Sequence, residues 1–301
     1  MNTITAILVI ISAIMHSSWN VLSKSASPTI GFFQLTTLGT ILWFSPVLYF
    51  TADLMSGMSL TLWAILLIAG LFQAIYYIGL ACAYARGALS IAYPLARSFP
   101  LLIVTALTFM VGRGSEISYL ALAGISVIIV GALILPMKTI RDLRFENYLN
   151  ASCAFALIAA LGTAGYSFVD DIGMNLLKRV PDEASGWMRA LLYLVLECVF
   201  TAFWLQLLMM TSRTSMDHFR TNWRSLLKPA LLAGLAIGAT YGIILLAMTH
   251  AQNISYVVGL RQLSIPLGAI MGVFILKEKA SYPRFIGITI LFIGLILVSL
   301  G

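Results

Sequence analysis

Two arginines lie inside long apolar segments of this sequence, where a charged side chain is costly. Arg97 follows Tyr93 by four residues and precedes Pro100 by three. Arg261 is the near-equivalent of Arg97 in a second copy of the same pattern. A charged residue in such a segment must be paired or must face water. Two guanidinium groups from related helices could bind a carboxylate or a phosphate with their planar donor forks. The alternative is a structural ion pair with an acidic side chain of the same bundle.

Three acidic residues are candidate partners for these arginines, or for a proton or cation. Asp170 shares one helix face with Thr163 and Tyr166, and Asp171 lies beside it. The two aspartates fit a cation or proton site, and they also fit anchors at the membrane interface. Glu197 is alone on its apolar stretch, so it is a candidate proton carrier or the partner of an arginine.

The first apolar segment carries a histidine, an asparagine and a lysine on one face. His16, Asn20 and Lys24 are spaced at i, i+4 and i+8, and Trp19 flanks them. His16 is a candidate for substrate contact or for a hydrogen bond between packed helices. Lys24 is either a coupling residue or the end of the helix, where its ammonium group would reach the interface.

Tyrosines accumulate on the apolar segments that carry these polar groups. Tyr77, Tyr166 and Tyr241 could line a cavity, because tyrosine supplies an apolar wall and a hydroxyl. Core packing is the alternative. Pro100 and Pro266 could open their helices and free backbone carbonyls near such a cavity.

These residues lie on ten apolar stretches that predict membrane-spanning helices. The chain of 301 residues is 60% hydrophobic and 10% charged, whereas a soluble domain is about 25% charged. A spanning helix needs about 20 mostly apolar residues. The stretches that approach this length are 2–23, 31–51, 61–85, 91–111, 116–136, 149–173, 186–210, 229–249, 255–275 and 284–300. The predicted fold class is therefore an all-α integral membrane protein with ten transmembrane helices.

The sequence contains two copies of one pattern. Four residues recur 165 positions later, where Ala74, Tyr76, Leu80 and Ser90 match Ala239, Tyr241, Leu245 and Ser255. Each half contains five apolar stretches, so the two copies would cross the membrane in opposite directions. Inverted repeats are typical of transporters whose substrate site lies near the midplane between the halves. We therefore predict one transport domain built from two inverted five-helix repeats, residues 1–140 and 141–301.

The net charge of +7 is distributed as a membrane topology signal. Most of the lysines and arginines lie in loops that follow the odd-numbered segments, which the positive-inside rule assigns to the cytoplasm. Both termini are then predicted on the opposite, non-cytoplasmic side. Because the charge is explained by orientation, it does not indicate nucleic-acid binding.

Enzyme motifs are absent from the sequence. It has no HExxH, GxSxG or nucleotide-binding loop. Its three cysteines lie inside apolar stretches, so we interpret them as small hydrophobic residues rather than as a disulfide framework or a metal site. We therefore expect no catalysis, no cofactor and no direct drive by ATP.

Three motifs in this chain resemble those of one transporter family. They are the run 16–24 (HSSWNVLSK), the run 87–95 (GALSIAYPL) ahead of Pro100, and Pro266 followed by Leu276, Lys277, Glu278 and Gly287. With the duplicated five-helix unit, they resemble the drug/metabolite transporter superfamily, in the group of ten-helix proteins built from two EamA domains. The resemblance implies a carrier of the bacterial inner membrane with a central cavity between its helices. Relatives export amino acids and other metabolites, or exchange sugar-nucleotides and phosphates.

The residues and the resemblance predict a secondary transporter, expected to be an exporter, that works by alternating access. Its solute would be a small anionic or zwitterionic metabolite such as an amino acid, and the alternative is a flippase for a lipid-linked anionic headgroup. The predicted substrate-binding residues are His16, Trp19, Asn20, Tyr77, Tyr93, Arg97, Tyr166, Tyr241 and Arg261. The candidates for coupling or ion pairing are Lys24, Asp170, Asp171 and Glu197. The expected partners are the solute and membrane lipid, and a monomer suffices because both halves lie in one chain.

Overall fold

The computed structural model describes residues 3–23, 29–86, 89–134, 137, 150–274 and 282–301, and every regular element within these ranges is a helix. The fold is therefore all-α, as predicted. The helices are α1 (Thr3–Ser23), α2 (Ile30–Phe44), α3 (Pro46–Phe50), α4 (Ala52–Ser56), α5 (Leu60–Arg86), α6 (Leu89–Met110), α7 (Tyr119–Ile134), α8 (Ala151–Lys178), α9 (Gly186–Met210), α10 (Arg213–Met248), α11 (Ile254–Arg261), α12 (Ser264–Phe274) and α13 (Tyr282–Leu300). A 3-10 turn, Gly114–Glu116, lies between α6 and α7.

Among the described residues, five helices are long and apolar enough to cross a membrane. These stretches are Leu60–Ala83, Ala151–Lys178, Gly186–Met210, Ser215–Met248 and Tyr282–Leu300. The shorter apolar helical stretches are Thr3–Ser17, Ile30–Phe44, Ser98–Met110 and Tyr119–Ile134. Large apolar side chains cover outward faces, for example Leu42 at 62% exposure and Phe203 at 53%. Extensive exposed apolar surface marks contact with lipid or protein, so the chain has the character of an all-α membrane protein.

The predicted span 255–275 is divided into α11 and α12. Pro266 has no N–H to donate to the carbonyl of Gln262, four residues earlier. That carbonyl instead accepts from the backbone N–H of Ile265 at 2.9 Å. The expectation that Pro266 opens its helix is confirmed. The same expectation for Pro100 is wrong, because α6 continues through that residue.

The predicted span 31–51 is one helix only as far as Phe44. Pro46 begins the short helix α3 and has no N–H for the carbonyl of Leu42. The hydroxyl of Ser45 donates to that carbonyl at 3.2 Å instead. Helix α2 therefore ends here, and the chain continues through α3 and α4.

Helix α8 runs beyond its predicted end at residue 173, and a buried arginine donates hydrogen bonds to backbone carbonyls at its carboxyl-terminal end. Arg189 donates from the start of α9 to the carbonyls of Leu177 at 2.6 Å and Val180 at 3.1 Å. A helix end otherwise leaves such carbonyls without partners. Since α8 continues to Lys178, Asp170 lies about 12 Å from the end of the helix, at about 1.5 Å per residue.

Helix α10 begins at Arg213, well before the predicted residue 229, and passes through Pro229. Ser212 caps its first turn by accepting from a backbone N–H at 3.3 Å. Phe219 packs against Gly31 at the start of α2, where a Cβ would approach the ring to 2.7 Å. The basic stretch predicted as a loop after segment seven is therefore helical, because it has both a cap and an apolar contact.

Close helix packing depends on glycines at the crossing points. Helix α5 packs on α8, α2 on α10, and α7 on α13. A Cβ on Gly162 of α8 would lie 2.5 Å from the backbone nitrogen of Tyr76 in α5, and a Cβ on Gly124 of α7 would lie 2.7 Å from the carbonyl oxygen of Gly294 in α13. Small residues of this kind let membrane helices approach closely. Helix α9 contacts α5, α8 and α10, so polar residues on the inner faces of these helices can meet.

Candidate functional site

A cluster of buried and partly buried polar side chains lies between α8, α9, α10 and α11. We call it the interior cluster, and it consists of Asp170, Tyr193, Glu197, Tyr241 and Arg261. Asp170 is completely buried. It accepts one hydrogen bond from the hydroxyl of Tyr193 at 3.1 Å and another from the hydroxyl of Tyr241. Each carboxylate oxygen of Asp170 thus has a neutral donor, as a buried acceptor requires.

A glycine on α8 makes room for one of these donors. Gly173 follows Asp170 by three residues and therefore lies on the same face of α8. A Cβ on Gly173 would overlap the ring of Tyr193, at 2.6 Å from its Cε2 atom. Because that Cβ is missing, the phenol can cross the surface of α8 and reach the carboxylate.

Glu197 is the second buried carboxyl group, and its surroundings differ from those of Asp170. It lies near the middle of α9, four residues after Tyr193, and is 1% exposed. Neither of its carboxylate oxygens has a hydrogen-bond donor within the described part of the chain. Its charge interacts with those of Asp170 and Arg261. A buried polar atom without a partner is uncommon and points to a proton, a water or a ligand at that position.

Arg261 is the cation of the interior cluster and ends α11 beside the break that precedes α12. Its guanidinium carbon lies 5.3 Å from the centroid of the Tyr241 ring, which is a cation–π contact. One of its nitrogens lies 3.5 Å from the hydroxyl of Tyr166. The side chain is only partly buried.

Aromatic rings connect the interior cluster to α5 and α2. Tyr241 packs edge-to-face on Tyr166, with centroids 5.6 Å apart, and Tyr166 packs on Tyr76 at 5.9 Å. Tyr76 contacts Tyr77 at 5.1 Å, and Tyr77 stacks on Phe33 at 4.6 Å. These five rings form what we call the aromatic wall, which extends across four helices and offers both apolar surface and hydroxyl groups.

A second polar cluster, which we call the rim network, joins the loop ahead of α7 to α8 and α11. Arg113 donates to Glu116 at 2.9 Å and to Asp171 at 3.1 Å. Glu116 also accepts from the side-chain amide of Asn253 at 2.8 Å. The network therefore connects the first half of the chain, through the 3-10 turn, to the second half.

The rim network shifts the pKa values of its exposed members. The Arg113 guanidinium lowers the pKa of Glu116, and the Asn253 amide adds to the effect. The hydrogen bond to Glu116 raises the pKa of Arg113 against partial desolvation, with a further contribution from Asp171. Both groups therefore keep their charges at neutral pH.

Six of the predicted site residues lie in one region of the structure, namely Tyr77, Tyr166, Asp170, Glu197, Tyr241 and Arg261. Asp171 is separate from them and belongs to the rim network, although it is adjacent to Asp170. His16 is half-buried on α1. Lys24 lies outside the described residues, as do the side chains of Trp19, Asn20, Tyr93 and Arg97.

Sequence reasoning does not find Tyr193 or the rim network. Tyr193 has a usable signal, because it precedes Glu197 by four residues and shares its helix face. Arg113 has no such signal, because its partner Asp171 lies 58 positions away in the chain. Contacts of this separation depend on how the helices pack and leave no local pattern.

The polar side chains of the described residues are arranged for hydrogen bonding and charge pairing. No group of three or more His, Cys, Asp or Glu side chains that could hold a metal ion occurs in the part of the chain that the structure describes. The interior cluster instead offers carboxyl groups, phenol hydroxyls and one guanidinium. These are hydrogen-bonding and charged groups that can bind and orient a small molecule.

An apolar crevice lies between α5, α6 and α8. Its volume is about 370 Å³, and its lining consists of Phe72, Ile75, Ile103, Leu107, Ile158, Leu161, Gly162 and Gly165. Ile158 is 40% exposed and Leu161 is 53% exposed, so the crevice opens to the side of the bundle. A lining without polar side chains suits a hydrocarbon chain.

Comparisons with known proteins reveal a shared fold and no family. No family model matches the chain, and no curated protein matches it. Among solved structures, 27 chains match. One protein, known from a crystal structure, is 18% identical with a TM-score of 0.63, and the match covers 98% of this chain and 97% of that chain. At this identity the likeness shows that the two chains share a fold along almost their whole length.

Proposed function

We propose that this protein is a secondary transporter of a small zwitterionic or anionic metabolite, such as an amino acid, and that it works by alternating access. The observation that carries the proposal is the interior cluster, in which two carboxyl groups are buried beside a guanidinium. Charged groups are costly between membrane helices and are characteristic of solute and ion pathways. Helix packing alone would not require them.

The interior cluster presents both signs of charge, which suits a zwitterionic solute. Arg261 can receive a carboxylate with its planar donor fork. Glu197 can receive an ammonium group, because both of its carboxylate oxygens lack donors among the described residues. The aromatic wall supplies an apolar surface for the rest of the solute. An anionic solute would use Arg261 and leave Glu197 without a counter-charge.

The pattern of helix packing supports two inverted five-helix halves, residues 1–140 and 141–301. The predicted spans are counted here from the start of each half, so the third span is α5 in the first half and α10 in the second. The third span of each half packs on the first and second spans of the other. Thus α5 contacts α8 and α9, while α10 contacts α1 and α2. The fifth spans, α7 and α13, pack on each other. Rocking of two such halves is a common route to alternating access.

The rim network would hold one end of the transporter closed. Arg113 and Glu116 belong to the first half, whereas Asp171 and Asn253 belong to the second. Movement of one half away from the other at this end must break these contacts. The distribution of basic residues favours this end as the non-cytoplasmic one, in the membrane of a bacterial cell. The family that this proposal implies is the drug/metabolite transporter superfamily, and export is the expected direction.

The proposal is tested by a thermal-shift screen of the purified protein in detergent. The ligands are amino acids, organic acids, amines and sugar phosphates, because a ligand that binds only the folded state raises apparent stability. We expect stabilisation by a zwitterionic or anionic compound, and loss of that stabilisation in Arg261→Gln. Arg224→Gln, at an exposed arginine of α10, is the matched control and should keep the response. Stabilisation by amines alone, unchanged in Arg261→Gln, would contradict the proposed binding role.

The apolar crevice favours a flippase for a lipid-linked anionic headgroup as the second candidate. Its sideways opening would admit a hydrocarbon chain, and the headgroup would need Arg261 or another cation. The lining itself contains no charged side chain, which is why we place this function second. Movement of a fluorescent lipid-linked anion across vesicles, without exchange of any soluble solute, would favour the flippase.

A further inference from the structure

Glu197 is a buried acid whose carboxyl group has no hydrogen-bond donor among the described residues. It lies near the middle of α9 (Gly186–Met210). Both carboxylate oxygens are buried without a partner. The hydroxyl of Thr201 donates to the backbone carbonyl of Glu197 and leaves the carboxyl group unoccupied. An ionised carboxylate in such a position loses its hydration and receives nothing in exchange.

Within the described residues, the charges of the interior cluster do not balance unless a proton or a cation joins it. Asp170 and Glu197 are two carboxyl groups, and both interact with the single positive charge of Arg261. Asp170 accepts hydrogen bonds from two tyrosine hydroxyls, which favour its ionised form. Glu197 accepts none, so an added proton resides on Glu197.

The other groups around Glu197 do not replace it as a proton acceptor. The ionisable groups that interact with it electrostatically are Asp170 of α8, Tyr77 of α5, Tyr241 of α10, Arg261 of α11, and Tyr193 and Cys198 of α9 itself. Helix α2 contributes no ionisable side chain, and Tyr49 of α3 is 84% exposed. Tyrosine, cysteine and arginine ordinarily give up their protons only in the alkaline range, so the two carboxyl groups are the ones that exchange protons.

We propose that Glu197 carries the proton that is coupled to transport, an inference that rests on the proposed function. In the conformation described here, the carboxyl group is protonated and the interior cluster is neutral. When the halves separate and water reaches α9, Glu197 releases that proton to water as its carboxylate becomes hydrated. The ammonium group of a zwitterionic solute then takes the place of that proton beside the ionised Glu197, while the carboxylate of the solute binds Arg261. The proton and the solute therefore occupy the cluster in turn, which makes the protein an exchanger of protons for solute.

The test uses the full-length protein in proteoliposomes with a pH gradient. The probe is a mixture of radiolabelled amino acids, and the variants are Glu197→Gln, which cannot ionise, and Glu197→Asp, which can. Glu183→Gln, at an exposed loop acid, is the matched control. If one proton exchanges for one solute molecule, accumulation should increase about tenfold per pH unit of gradient. One pH unit and a tenfold ratio of solute concentrations across the membrane represent the same free energy.

The wild type, Glu183→Gln and Glu197→Asp should respond to the gradient, whereas Glu197→Gln should not. Because Glu197 also receives the ammonium group of the solute, Glu197→Gln should weaken exchange of labelled for unlabelled solute at equal pH, whereas Glu197→Asp should retain it. Size-exclusion chromatography and thermal unfolding in detergent establish that Glu197→Gln is folded. Infrared spectroscopy then separates the proton from solute binding: absorption by a protonated carboxylic acid that is present in the wild type and missing from the folded variant supports the proposal, and its absence from the wild type overturns it.

Failure of this inference is distinguishable from failure of the proposed function. Solute exchange by the wild type that ignores the pH gradient would overturn proton coupling and leave the transporter proposal intact. A gradient response that persists in Glu197→Gln would also overturn the role of Glu197. Absence of solute movement in every preparation of folded protein would overturn the proposed function, and the coupling role of Glu197 with it.

Discussion

Asp170 and Asp171 are consecutive residues of α8, yet they belong to two different polar regions. Asp170 is completely buried and accepts hydrogen bonds from the neutral hydroxyls of Tyr193 and Tyr241. Asp171 forms an ion pair with Arg113 at 3.1 Å. Successive residues of a helix point about 100° apart, so one step along α8 separates the interior cluster from the rim network.

The two regions differ in how easily their charged groups can separate. The side chains of Arg113 and Glu116 are 34% and 36% exposed, and exposed pairs of this kind contribute about 0–1 kcal/mol each. Such contacts can break and re-form during a conformational cycle. Asp170 and Glu197 of the interior cluster are 0% and 1% exposed, so a change there leaves a buried group without a partner and costs more.

The largest effect is expected from removing the interior aspartate. Asp170→Ala leaves two buried hydroxyls without an acceptor, each at a cost of about 1–3 kcal/mol. We expect unfolding in detergent to be easier by about 3 kcal/mol, as measured by denaturant titration. Asp171→Ala should cost less, about 1 kcal/mol, because its partner Arg113 is 34% exposed and keeps its ion pair with Glu116. Asp53→Ala, at an exposed acid of α4, should cost nothing measurable. Equal losses for Asp170→Ala and Asp171→Ala would remove the distinction between the two regions.

A smaller effect on the same region is expected from Gly173→Ala. The added methyl group would overlap the Tyr193 ring and displace its hydroxyl from Asp170. Overpacking of this kind costs about 1–3 kcal/mol. Gly186→Ala is the matched control, since a Cβ there meets only the end of the Leu246 side chain at 3.3 Å. Denaturant midpoints of the two variants provide the comparison, and a stable Gly173→Ala would mean that Tyr193 does not depend on this gap.

The rim network is tested by a double-mutant cycle of Arg113→Ala and Asp171→Ala. We expect a coupling energy of about 1 kcal/mol, which salt should reduce because the pair is partly exposed. Unfolding titrations of the four proteins at low and high salt measure it. A coupling energy that is large and insensitive to salt would mean that the ion pair of the rim network is as shielded from water as the interior cluster.

The smallest expected effect is the pH dependence that Glu116 contributes. Its folded-state pKa is lowered, first by Arg113 and then by Asn253. The stabilisation of the folded state by the ionised Glu116 is therefore fully present above the ordinary glutamate pKa of about 4.3. It is lost as the pH falls through the lower folded-state pKa. We expect Glu116→Gln to be slightly less stable than the wild type at pH 6 and equal to it in strong acid. If the stability difference between the wild type and Glu116→Gln grew as the pH fell, the prediction would be wrong.

The sequence predicts the all-α fold and several members of the interior cluster, because those signals are local. Apolar stretches predict the helices, and charged residues within them identify Asp170, Glu197 and Arg261. Pro266 predicts the break that follows Arg261, since a missing N–H acts within one turn. Pro100 shows the limit of that argument, because the same residue type is accommodated within an unbroken α6.

The remaining features could not be predicted because they depend on packing between distant parts of the chain. Nothing near Asp171 indicates that its partner is Arg113 rather than Lys24 or Arg261. The last carbonyls of α8, which continues past residue 173, are satisfied by Arg189 from the next helix. The space above Gly173 that Tyr193 fills exists only because α8 and α9 pack side by side, and no local sequence pattern indicates it.

We propose that the interior cluster binds solute and that the rim network does not. The most direct test is exchange of labelled for unlabelled amino acids across proteoliposomes containing the wild type, Arg261→Gln or Asp171→Asn. We expect Arg261→Gln to lose exchange by tenfold or more, about 1.4 kcal/mol or greater, and Asp171→Asn to retain it within a few-fold. Full exchange in Arg261→Gln, or its complete loss in Asp171→Asn alone, would contradict the account.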